Sequence, residues 1–129
     1  MLKIEKIHHV AIIASDYEKS KRFYVEVLGF KIVKETYREE RNSYKLDLEI
    51  NGDYQIELFS FKNPPKRVTN PEARGLRHLA FEVKNIDKEV KKLADIGVVC
   101  EEIRIDEITG KRFTFFKDPD ELPLELYER

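Results

Sequence analysis

Ile7-His8-His9-Val10-Ala11-Ile12 decides the reading of this chain, together with Leu76-Arg77-His78-Leu79-Ala80-Phe81. With His9 aligned on His78, Ala11 falls on Ala80, and Asp16 falls on Asn85 just before a helical pattern in each copy. Gly29 and Gly97 close those patterns, one residue out of step. Farther on, Gln55-Ile56-Glu57-Leu58-Phe59 matches Pro123-Leu124-Glu125-Leu126-Tyr127. One module is therefore written twice, and each copy carries a His and a Glu at equivalent places. A repeat of this kind fixes the architecture before any local pattern does.

The chain has 129 residues, 41% hydrophobic and 38% charged, with a net charge of −1. Either module alone would be marginal, so the repeats are expected to share a core as one domain, residues 1–129. Modules span about 5–61 and 75–129, joined by a linker over 62–74 that holds Pro64, Pro65 and Pro71. The balanced charge leaves no basic footprint for nucleic acid. No apolar run approaches membrane-spanning length, and Met1 to Lys6 do not open a signal peptide. Cys100 is the only cysteine, which suits a reducing compartment. The expectation is a cytoplasmic protein with neither a nucleic-acid nor a membrane partner.

Alternation and helical periodicity predict β-α-β-β-β in each module. Strands are expected over 6–14, 30–39, 43–50 and 54–60, with a helix over 17–28 capped by Asp16. Asn51-Gly52 signals a tight hairpin between the third and fourth strands. The second copy predicts strands over 76–84, 98–105, 111–117 and 123–128, with a helix over 86–96 capped by Asn85. The fold class is α+β: tandem modules whose curved, mostly antiparallel sheets surround a cleft. Strict alternation puts His9 with Ile7, Ala11 and Ile13, and turns His8 the other way. It likewise puts Glu57 with Gln55 and Phe59, and Tyr54 on the opposite face.

Glu57 and Glu125 sit inside apolar strands, and an unpartnered buried carboxylate is costly. A divalent cation would supply the partner, with His9 and His78 completing the protein ligands. Either residue type alone in a strand is unremarkable. The matched recurrence, with only three histidines in the chain, points to a metal site. Arg77 stands at the position of His8, so His8 is read as structural or supporting. Nickel, zinc, cobalt, manganese and iron all tolerate two imidazoles and two carboxylates. Arg38, Lys45, Lys111 and Arg112 are candidate substrate anchors, and Phe59, Phe113 and Phe116 candidate apolar walls.

His9-Val10-Ala11-Ile12, Phe23-Tyr24-Val25-Glu26-Val27-Leu28-Gly29-Phe30, His78-Leu79-Ala80-Phe81 and Phe116-Lys117-Asp118-Pro119-Asp120-Glu121-Leu122-Pro123-Leu124-Glu125-Leu126-Tyr127 resemble the vicinal oxygen chelate superfamily. Within it they look most like the glyoxalase I and bleomycin-resistance branch. The resemblance covers almost the whole chain. It implies a metal held by His9, Glu57, His78 and Glu125, and a homodimer whose clefts the second subunit completes. It also implies a lyase or isomerase acting on a small 2-oxo compound or its hemithioacetal through a metal-stabilised enediolate. Glu57 or Glu125 would then move the proton. Two departures stand out. Glu121 replaces the glycine of the family's Asp-Pro-Asp-Gly turn, and Phe59-Ser60-Phe61-Lys62 is unlike the stretch of glutathione-binding members. Other readings are a metal-dependent thiol transferase of the antibiotic-resistance type, a non-catalytic small-molecule binding protein, and an extradiol-type oxygenase. The last needs a further acid/base histidine, and only His8 remains.

Overall fold

The computed structural model describes all 129 residues, which form two compact units, Met1–Pro65 and Lys66–Arg129. In the first unit, β1 (Val10–Ala14) leads into α1 (Tyr17–Arg22), followed by β2 (Lys31–Arg38), β3 (Ser43–Ile50) and β4 (Asp53–Ser60). In the second, β5 (Leu79–Val83) leads into α2 (Ile86–Asp95), then β6 (Arg104–Ile105), β7 (Arg112–Lys117) and β8 (Pro123–Glu128). Each unit holds one four-stranded sheet, ordered β1-β4-β3-β2 and β5-β8-β7-β6. The first strand of each runs parallel to the last, and the other pairings are antiparallel. The tandem β-α-β-β-β plan is thus present in full. No helix is long and apolar enough to cross a membrane.

The helices start where their caps predict. Asp16 Oδ1 accepts the Lys19 N–H at 3.2 Å, and Asn85 Oδ1 accepts the Lys88 N–H at 3.1 Å. These bonds satisfy amides that the first helical turn leaves open. The first helix does not stay α-helical to residue 28. It widens into a π-helical turn over Phe23–Val27, with Leu28 N–H donating to the Phe23 carbonyl. Phe23 and Tyr24 are both buried there, and Tyr24 is fully inaccessible. The second helix ends at Gly97, whose φ of +86° lets the Val98 N–H reach the Leu93 carbonyl at 2.8 Å, a stop that favours glycine.

Three predicted strands are shorter than the alternation suggested. β1 begins at Val10 rather than residue 6, because its ladder with β4 begins at Ile56. Gln55, just before, is the extra residue of a bulge: Glu49 pairs with Tyr54, and Leu48 with Ile56. β5 begins at Leu79, opposite Leu124; the residue before Leu124 is Pro123, which has no N–H to donate. β6 keeps two of the eight residues expected over 98–105. Upstream, the segment touches β7 at one residue: Glu101 N–H donates to the Phe115 carbonyl at 2.8 Å, and its carbonyl accepts from Thr114 Oγ1 at 2.6 Å. The linker is also not wholly outside the modules. Arg67 donates to the Leu76 and Arg77 carbonyls at 2.6 and 3.0 Å, which ties residues from 66 onward to the second unit.

The Asp118-to-Leu122 turn survives without its glycine. Asp118 Oδ1 accepts the N–H groups of Asp120 and Leu122 at 2.8 and 2.9 Å. Glu121 therefore adopts a φ of +65°, a left-handed conformation that costs a side-chain-bearing residue about 1–2 kcal/mol. Glu121→Gly removes that strain but frees the unfolded chain by about 0.5–1 kcal/mol. The expected net gain is about 0.5–1 kcal/mol, read as a higher urea midpoint. An unchanged or lower midpoint would show that the turn is not strained.

Candidate metal and substrate site

The His and Glu of the first unit meet because β1 and β4 run parallel with Ala11 opposite Glu57. His9 immediately precedes β1, two residues before Ala11. Its Nε2 stands 3.4 Å from Glu57 Oε2, and Glu57 is only 7% exposed. The bulge at Gln55 overturns the predicted facing of Tyr54. It carries the phenol round to the side of Glu57, where the hydroxyl donates to Glu57 Oε2 at 2.5 Å and to Asp47 Oδ1 at 2.9 Å. Burial, followed by those two carboxylates, pushes the Tyr54 phenol well above its ordinary range. Lys45 Nζ lies 3.2 Å from Asp47 and 3.7 Å from Glu57. Tyr54 and Asp47 were invisible to sequence reasoning, because the sequence announces the hairpin but not the bulge.

His8 also departs from expectation. It precedes β1, so strand alternation does not govern it. Its Nδ1 lies 2.8 Å from His9 Nδ1, and its ring sits 5.4 Å from that of Tyr54. It turns toward His9, not away.

The second unit repeats the geometry with different surroundings. Ala80 faces Glu125, and His78 Nε2 stands 3.8 Å from Glu125 Oε1. Asp47, opposite Glu57, is replaced by Phe115, opposite Glu125. The Phe115 ring meets His78 edge-on at 5.1 Å. One pair is therefore set among polar groups and the other against an aromatic. Next to the second pair is a cavity of about 430 Å³, walled in part by His78, Phe115, Phe116, Arg67 and Arg104, within the ~300–1,000 Å³ typical of small-molecule sites.

The candidate anchors separate. Lys45 belongs to the Glu57 cluster. Arg38 donates to Ser43 Oγ at 2.9 Å and lies 4.8 Å over the Phe59 ring, with its Nε buried and unpartnered. Arg112 is engaged elsewhere: it holds Glu128 at 2.9 Å and Asp87 at 2.8 Å, fastening β7 to β8 and to the start of α2. Those carboxylates raise its already high pKa. Lys111 lies exposed beside the turn before β7. Phe113 stacks on Tyr127 at 6.4 Å and, like Lys111 and Arg112, is absent from the cavity wall. Of the predicted substrate set, these three thus lie outside the cavity wall.

Two ligands each about 2.0–2.2 Å from a cation stand roughly 3–3.5 Å apart. The His9–Glu57 separation of 3.4 Å matches that span, and the His78–Glu125 separation of 3.8 Å is slightly wider. His78 Nδ1 is buried without a partner. Each pair thus fits half of a metal site. Neither unit gathers three or more His, Cys, Asp or Glu side chains around one point.

Comparison with known proteins agrees with the repeat. Residues 6–126 match the model of the Glyoxalase/Bleomycin resistance protein/Dioxygenase superfamily. The uncharacterized protein YwkD of Bacillus subtilis is 66% identical over 98% of each chain. The crystal structure of a glyoxalase family protein from Enterococcus faecalis superposes with a TM-score of 0.88 at 50% identity, covering 96% of this chain and 98% of that one. More distant relatives bear divergent names. A lactoylglutathione lyase of Schizosaccharomyces pombe is 27% identical over 94% of this chain and 46% of its own length. The metallothiol transferase FosB of Staphylococcus saprophyticus is 29% identical, over 96% and 77%. A putative ring-cleaving dioxygenase, MhqE of Bacillus subtilis, is 27% identical, over 98% and 42%. The chain belongs to the glyoxalase/bleomycin resistance/dioxygenase, or vicinal oxygen chelate, superfamily.

Proposed function

We propose that the protein is a metal-dependent lyase or isomerase of the glyoxalase type, acting on a small 2-oxo compound or its hemithioacetal. The observation that carries the reading is the pairing of one imidazole with one carboxylate, Glu57 buried and Glu125 largely so, at the same strand register in both units. Two such half-sites, one of each kind, make up a four-ligand set of His9, Glu57, His78 and Glu125, whether drawn from one chain or from two copies. A divalent cation, if held by those residues, would supply Lewis-acid polarisation of a substrate carbonyl.

The chain's own groups do the rest. A C–H next to a polarised carbonyl is acidic enough for a carboxylate base, so Glu57 or Glu125 takes the proton and returns it to the neighbouring carbon. Tyr54 and Lys45 hold Glu57 through its Oε2, which favours Glu125 as the carboxylate free to move. Phe115 packs edge-on against the His78 ring at 5.1 Å and orients it.

The test is an assay of the metal-reconstituted protein in D₂O with methylglyoxal and several thiols, then with small 2-oxo and 2-hydroxy compounds. Metal-dependent conversion to the isomerised product, or deuterium incorporation at the carbon beside the carbonyl, is expected. Absence of both with every substrate, in protein shown to hold metal, would refute the isomerase reading.

The position of His8 favours a second reading. Two histidines, one carboxylate and iron, with a further imidazole 2.8 Å from His9, are the parts of a ring-cleaving oxygenase. That reading predicts oxygen uptake by the iron-loaded protein with catechol; the isomerase reading predicts none.

A further inference from the structure

We infer that the cavity of the second unit is a receptor for an oxyanion, carboxylate or phosphoryl, carried by the small molecule whose reacting atoms lie at His78 and Glu125. The inference rests on the proposed metalloenzyme reading for its location, but not for its chemistry.

Four cations line the cavity: Arg67, Arg77, Arg104 and Lys117. Two are neutralised within it, Arg77 by Glu72 at 2.9 Å and Arg104 by Glu101 at 3.2 Å. The other two are not. Arg67 donates only to backbone carbonyls, which accept its hydrogens without cancelling its charge, and its Nε is buried with no partner. Lys117 has no carboxylate within ion-pair reach. The cavity therefore carries a surplus of two positive charges in a chain whose net charge is −1.

His78, in the same wall, adds a buried Nδ1 that also lacks a partner. Buried donors are ordinarily satisfied, and uncompensated like charges in one concavity repel. An oxyanion relieves both conditions: it accepts from the guanidinium and the ammonium and cancels their charge. Phe115, edge-on to His78 at 5.1 Å, adds an apolar surface to the same wall for the uncharged part of the ligand. The matching strands of the first unit have no such arrangement. There Lys45 is held between Asp47 and Glu57.

The test is calorimetric titration of the full-length, EDTA-treated protein with 2-phosphoglycolate, malonate and neutral glycolamide, and separate titration with Zn²⁺. Both anions are expected to bind, more weakly as salt rises. Glycolamide should bind at least about tenfold more weakly, since charge-assisted hydrogen bonds contribute about 1.5–3 kcal/mol. Lys117→Gln, a change at an exposed and unpaired side chain, should weaken the anions about tenfold and leave Zn²⁺ affinity unchanged. Equal binding of anions and amide, or anion affinity untouched in both Lys117→Gln and Arg67→Gln, would overturn the inference. Failure of Zn²⁺ binding with anion binding retained would count against the metalloenzyme reading and leave the receptor standing.

Discussion

Glu125→Gln is expected to lower metal-dependent deuterium exchange by about 10²–10⁴-fold, the usual contribution of a positioned acid/base group. Glutamine keeps the shape and loses both the negative charge and the basicity. In the second unit Glu125 stands 3.8 Å from His78, and its side chain is 13% exposed. Glu57→Gln is expected to abolish exchange to a similar degree by a different route. Its carboxylate also balances Lys45 and accepts from Tyr54, so the neutral amide leaves the ammonium and Asp47 to close on each other and disturbs the position of His9. The two variants should therefore part in their metal affinity, with Glu57→Gln the weaker binder. Tyr54→Phe separates ligand from support: it should shift metal affinity modestly and leave the fold intact. Full exchange activity in Glu125→Gln and Glu57→Gln alike would remove both carboxylates from the chemistry.

The second large effect is on stability. Tyr24→Ala should cost about 3–5 kcal/mol, as large aromatic truncations in cores do. Tyr24 has no accessible surface. It meets Phe23 edge-on at 5.3 Å and Phe30 at 6.1 Å, and the π-helical turn that carries it leaves little freedom to collapse around a void. Urea unfolding measured at equilibrium checks this. A loss below about 1 kcal/mol would mean that the site relaxes fully, contrary to the close packing of ordinary interiors. The equivalent stretch of α2 presents Leu93, a smaller side chain that is also buried.

The fold was legible because its signals were local and duplicated. Asp16 and Asn85 cap helices, Gly29 and Gly97 end them, and Asn51-Gly52 turns a hairpin; each requirement belongs to one or two residues. The His–Glu pairs were legible because the repeat fixes the register of β1 on β4 and of β5 on β8, with Ala11 and Ala80 as the matching landmarks. What escaped depends on partners distant in sequence. Gln55 carries no local signal of a bulge, so alternation alone places Tyr54 on the opposite face and hides its bonds to Glu57 and Asp47. His8 was assigned by alternation in a segment where no ladder forms. Arg112 looked like an anchor because Asp87 and Glu128, 25 and 16 residues away, are brought to it only by the packing of α2 and β8. The wall of the second unit's cavity contains Arg67, from a stretch that reads as linker and is held by the carbonyls of Leu76 and Arg77 rather than by any periodic pattern.

The central proposal is that His9, Glu57, His78 and Glu125 are ligands of a divalent ion. The most direct measurement is a competition titration of the EDTA-treated protein with Zn²⁺ and Ni²⁺, repeated for His9→Ala, Glu57→Gln, His78→Ala and Glu125→Gln. One ion per chain is expected for the parent, with affinity reduced by at least about 10–100-fold in every variant, since even supporting partners of a metal site matter that much. Tight binding that survives the changes at His78 and Glu125, or no stoichiometric binding by the parent, would contradict it.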